Sequence, residues 1–84
     1  MAQLGLIETL VQAKQYDQAI AKAQALASAN DDALPRDAVL MELGRAYAAA
    51  GKKNDAKQTF DKVVSEFPDS AFSEEAKAQI ADLT

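Results

Sequence analysis

Leu40-Met41-Glu42-Leu43-Gly44-Arg45-Ala46-Tyr47, followed by Ala56, Phe60 and Pro68, is the stretch that decides the fold. Leu40, Leu43, Gly44 and Tyr47 recur at helical spacing and so share one face of a helix. Gly51 then supplies a stop signal, and Lys52-Lys53 forms a turn. Ala56, Phe60, Val63 and Val64 restart the helical spacing, so the segment reads as two helices folded back on each other. The rest of the chain repeats this hairpin at one offset of 37 residues. Leu6 falls on Leu43, Leu10 on Tyr47, Ala19 on Ala56 and Leu26 on Val63; Asp32 falls on Asp69, and Leu43 falls on Ile80. A fixed period of this size predicts a stack in which each hairpin buries its apolar face only against its neighbours. The chain holds two hairpins and the first helix of a third.

The spacing L-x2-L-G-x2-Y…A-x3-F…P in this second copy resembles the tetratricopeptide repeat, with Leu40 in place of the usual Trp. The first copy departs further. Ile7 stands where the second has Gly44, Lys14 where it has Gly51, and Ala23 where it has Phe60. The Ile7/Ala23 and Gly44/Phe60 pairs read as a volume swap, large against small, that keeps the two helices of each hairpin packed. The resemblance implies an all-α fold of five antiparallel helices stacked in a right-handed superhelix. It divides a single domain 1–84 into repeat one at about 1–33, repeat two at about 37–70 and a closing helix at about 71–83. Each link between hairpins runs about three residues longer than the family's 34-residue period gives. With Phe67-Pro68-Asp69-Ser70, this resembles the repeats of bacterial cell-envelope proteins such as the Tol–Pal accessory protein and outer-membrane assembly lipoproteins. That likeness points to the periplasm or cell envelope.

Composition narrows the function. The 84 residues carry 9 Lys and Arg against 13 Asp and Glu, a net charge of −4, with no basic stripe for a phosphate backbone. Nucleic acid is therefore not the expected partner. Neither Cys nor His occurs, which removes disulfides, thiolate nucleophiles, imidazole bases and most zinc or haem sites. Hydrophobic residues make up 49%, yet 19 of them are Ala, so large core anchors are few. No apolar run approaches the roughly 18 residues of a spanning helix. Met1-Ala2-Gln3-Leu4-Gly5 lacks the basic start of a signal peptide. The chain reads as an excerpt of a longer protein, with any targeting segment upstream.

The expected helices run from about Ala2 to Lys14, from Asp17 as N-cap to Ala29, from Pro35 to Ala50, from Asn54 as N-cap to Glu66, and from a cap at Ser70 to Leu83. Asn30-Asp31-Asp32 is a polar break. Gly44 marks a close helix crossing rather than a ligand contact. Tyr16 and Tyr47 suit core positions, since no base, metal or nucleophile accompanies them. Asp31/Asp32 and Glu74/Glu75 suit capping and helix dipoles, and no calcium-loop spacing surrounds them. Lys52-Lys53 with Lys57 reads as a solvated turn. No catalytic or metal-binding residues and no cofactor are predicted, and an enzyme is not expected.

The resemblance implies instead a concave groove, lined by the first helix of each hairpin, that binds a protein or peptide. Its lining would be Leu4, Glu8, Val11 and Gln12 from the first helix. The third helix would give Ala38, Met41, Glu42, Arg45, Ala48 and Ala49, with Met41 as an adaptable apolar contact and Arg45 as the sole cation. Ala78, Gln79 and Asp82 come from the fifth. Family members that hold chaperone tails clamp a carboxylate with Lys, Asn and Arg. The matching places here hold Leu4, Glu8, Glu42, Glu75 and Gln79, which excludes that ligand. The alternative is a structural element that stacks on sister repeats or self-associates through Leu4, Ile7, Ile80 and Leu83.

Overall fold

The computed structural model describes residues 3–28 and 35–83, with side chains from residue 5 onward. Five helices follow one another: α1 Gln3–Gln12, α2 Tyr16–Ser28, α3 Arg36–Ala49, α4 Lys53–Glu66 and α5 Ser73–Leu83. Each packs on the next, and α1 also packs on α3. This is the expected all-α helical repeat. Leu4's side chain, the expected α2 end at Ala29 and the Asn30-Asp31-Asp32 break lie outside the described residues.

The 37-residue period is written into the backbone hydrogen bonds. Where α3 ends, Gly51 N–H donates to Ala48 O (3.1 Å) and Lys52 N–H to Tyr47 O (2.9 Å), with Gly51 at φ +81. Where α1 ends, Lys14 N–H donates to Val11 O (3.0 Å) and Gln15 N–H to Leu10 O (2.9 Å), with Lys14 at φ +63. Both are the same left-handed C-terminal cap, closed by a 6→1 and a 5→2 bond. Lys14 thus adopts a conformation that Gly51 adopts without a Cβ penalty. Helix starts repeat too. Ala19 N–H donates to Gln15 O as Ala56 does to Lys52 O, each at 3.0 Å, and Val39 to Pro35 O as Ala76 does to Phe72 O.

The expected side-chain caps are the main local misplacement. Asp17 lies in the first turn of α2, and Asn54 lies one residue inside α4, whose N-cap Lys52 makes no side-chain cap bond. Ser70 caps the turn before α5 rather than α5 itself: its Oγ accepts from Phe72 N–H at 3.0 Å. The same hydroxyl donates to Asp37 Oδ2 at 2.6 Å and ties that turn to the start of α3. In each case the backbone turn fixes where the helix starts, and the polar side chain serves wherever it then falls.

The interior has two linked apolar clusters. One holds Ile7, Ala19, Ile20, Ala23, Leu43 and Ala46; the other holds Leu40, Met41, Ala56, Phe60, Val63 and Ala76. Ala27 and Tyr47 pack against both. A Cβ on Gly44 would sit 2.5–2.8 Å from three carbons of the buried Phe60 ring, so the aromatic ring occupies the space a side chain would need. Ile7 and Ala23, the equivalents in the first hairpin, are both fully buried in its cluster, the reversed arrangement of large and small. Leu43 packs into the hairpin before it, whereas its counterpart Leu6 is 40% exposed.

Candidate functional site

Repeat register aligns positions on the three first helices. Glu8, Arg45 and Asp82 occupy one repeat position in α1, α3 and α5; Gly5, Glu42 and Gln79 occupy another; Ala38 and Glu75 share a third. A charged cluster forms where these rows meet. Arg45 Nη1 donates to Glu42 Oε1 at 2.5 Å, and Arg45 Nη2 donates to Glu75 Oε1 at 2.6 Å. One guanidinium therefore bridges a carboxylate of its own helix and one from α5. Glu42 is buried, with its side chain 8% exposed, while Glu75 is 43% exposed.

Burial pushes the Glu42 carboxyl above its ordinary value; Arg45 pulls it back down, and the neighbouring Glu8 carboxylate raises it further. For Arg45, burial works against the charge, but hydrogen bonds and attraction from Glu75 and Glu42 outweigh it and raise the guanidinium. The arrangement holds a cation firmly inside an acidic surround. It offers no proton donor poised against a nucleophile. Among the described residues, no group of three or more acidic side chains is placed to hold a metal ion.

The structure divides the expected groove lining. Glu8, Gln12, Ala49, Ala78 and Asp82 are exposed on their helices, and Val11, Arg45, Ala48 and Gln79 are half-buried. Met41 is fully buried beside Phe60 and Ala76, so it is a core residue and gives no adaptable surface contact. Ala38 (9% exposed) and Glu42 (6% exposed) likewise contribute little outer surface. The reason is position: α3 is central in the stack and buries most of its circumference, leaving a narrower open strip than α1 or α5. Ile7 is also core, and Ile80 and Leu83 pack on the second cluster, so the stacking contacts expected of them are largely used internally. Arg45's bond to Glu75 departs from the sequence reading, which assigns Glu75 to the α5 dipole. Its place one period after Ala38 was the available signal.

On the opposite side lies a cleft of about 470 Å³ between α2 and α4, floored by α3. Arg36, Leu40, Leu43, Gln24, Gln58 and Lys62 are among its lining residues. The sequence carries no signal for it, because the second helices of the hairpins read only as packing elements.

These features define a helical-repeat protein with no assembled reaction centre among the described residues. A family model described as Tetratricopeptide repeat matches residues 10–81. The chain belongs to the tetratricopeptide repeat family, a non-catalytic repeat module that generally mediates protein–protein interaction. Searches of curated proteins and of solved structures return no match. Among the described residues, no helix is long and apolar enough to cross a membrane.

Proposed function

We propose that this chain is a protein-interaction module that receives a peptide or partner segment on the face formed by α1, α3 and α5. The observation that carries the reading is the Arg45–Glu75 bridge, which ties the half-buried edge of α3 to exposed α5, with Glu8 of α1 beside Glu42. Ala49 and Ala78 supply the shallow apolar surface, Glu8 and Asp82 the outward charge, and Gln12 and Gln79 the hydrogen-bonding groups. Apolar contact supplies affinity in such a site, and charge sets orientation. The test is capture of partners by the isolated domain, compared with Ala49→Lys and Ala78→Lys. Both positions are exposed on helices, so the melt should stay near wild type while capture falls. Undiminished capture by both variants eliminates this face.

A second reading, self-association of repeat ends, is favoured by one observation, the exposed Leu6 at a position that Leu43 uses to dock on a hairpin. Sedimentation at several concentrations tests it, and a strictly monomeric species rejects it. The long Phe67-Pro68-Asp69-Ser70 link supports a cell-envelope subtype. A lipobox, signal peptide or membrane anchor in the full-length gene product is the expected sign of that subtype.

A further inference from the structure

We propose that the outer cleft between α2 and α4 is a second binding site, and that its ligand is an extended peptide segment with a carboxylate near one end and a cationic side chain near the other. The cleft is electrically polarised along its length. Because α3 and α4 run antiparallel, Arg36 at the start of α3 shares one end with Lys62 in the last two turns of α4. Asp55, in the first turn of α4, lies at the other end with Tyr47. Among the described residues, none of Arg36, Lys62 and Asp55 is in an ion pair.

Between the charged ends lie Leu40 and Leu43 as an apolar floor and the exposed amides of Gln24 and Gln58. Gln24 Nε2 donates to the Tyr47 hydroxyl at 2.6 Å, which leaves the hydroxyl proton and the Gln24 carbonyl free to bond a peptide backbone. From Arg36 to Tyr47 the helix rises about 17 Å, the span of roughly five extended residues. The volume lies within the range of about 300–1,000 Å³ common for ligand sites.

The two faces select different ligands. On the inner face the cation Arg45 is already neutralised by two carboxylates, so an acidic group gains nothing there. In the outer cleft Arg36 and Lys62 have no carboxylate partner among the described residues and can take one from a ligand.

The test is an amide-resolved NMR titration of the isotope-labelled full chain with three acetylated, amidated peptides: Asp-Ala-Leu-Ala-Lys, Lys-Ala-Leu-Ala-Lys and Asp-Ala-Leu-Ala-Asp. The bipolar peptide is expected to shift Gln24, Leu40, Gln58 and Thr59 and to bind more tightly than the other two. Arg36→Glu with Lys62→Glu should weaken it about ten-fold with an unchanged melt, since both side chains are exposed. Asp55→Lys should transfer preference to the doubly acidic peptide. Equal titration by all three peptides, no shift at millimolar peptide, or the same shifts produced by sodium acetate alone would each overturn the proposal. So would shifts confined to Glu8, Arg45 and Glu75, a result that leaves the inner-face reading standing.

Discussion

Gly44→Ala offers the sharpest test of how the second hairpin is packed. Its new Cβ would lie 2.5 Å from a Phe60 ring carbon, whereas carbon atoms in contact settle at about 3.5–4.0 Å. Relieving the contact means turning the fully buried ring or moving α3 and α4 apart by about 1 Å, for which overpacking costs of about 2–3 kcal/mol are expected. Replacing Gly by Ala inside a helix returns about 1 kcal/mol. The net loss should be about 1–2 kcal/mol, or a melting point lower by roughly 5–15 °C in a domain of this size. Phe60→Ala removes all three obstructing ring carbons at its own cost of about 3–5 kcal/mol. In that background Gly44→Ala should become stabilising by up to about 1 kcal/mol, because only the helix propensity remains. The assay is urea unfolding followed by circular dichroism on all four proteins, with the slope checked for constancy. A coupling of about 2–3 kcal/mol is expected. Additivity within about 0.5 kcal/mol, or a stabilising Gly44→Ala in the wild-type background, would refute the steric account.

The remaining expectations concern single sites. Ile7→Gly deletes a fully buried side chain opposite small Ala23 and should cost about 3–5 kcal/mol in urea unfolding; an unchanged melt removes the volume-swap argument. Lys14→Gly relieves a left-handed residue at φ +63 and should raise the melting point by about 4–8 °C for a gain near 1 kcal/mol; a lower melting point contradicts it. Met41→Glu should abolish the helical signal by burying an unpaired charge. Arg45→Met should cost about 2–3 kcal/mol by stranding buried Glu42, whereas Glu75→Gln should cost less than about 1 kcal/mol at its exposed end of the bridge. Glu42 has a folded pKa raised above its usual 4.5, so the folded state holds its proton more tightly than the unfolded chain does. Its stabilising contribution is fully present below about 4.5 and is lost as pH rises through the raised value. Stability measured from pH 4 upward should therefore decline less in Glu42→Gln than in wild type, and parallel profiles would reject this assignment.

The fold was legible because one period carried every level of it. The spacing of Leu40, Gly44, Tyr47, Ala56 and Phe60 gave the hairpin, and a shift of 37 gave its repetition. The left-handed cap at Lys14 is not legible in the same way: the sequence reading extends the first helix to Lys14, whereas α1 ends at Gln12 and Lys14 takes a conformation that Lys seldom adopts. The candidate face was legible only in outline. Which helices line it follows from repeat register, but whether a position on α3 is open depends on what flanks that helix on both sides. Hence Met41, placed on the surface by analogy, turned out to belong to the Phe60 core, while Ala49 stays exposed. Arg45's double bond pattern and the Ser70–Asp37 tie join residues 30 and 33 positions apart, and side chains of that length choose partners only after the helices are set.

Tyr47 and Ala27 touch both apolar clusters, and these clusters differ in what fills them. The first relies on Ile, Leu and Ala; the second contains Phe60 and Met41. Amide protons of α1 should accordingly exchange with solvent sooner than those of α3 and α4, because fewer bulky groups anchor that end. The ring of Tyr47 is the rivet between halves: while it stays seated, loosening that begins at α1 stops short of α3 and α4.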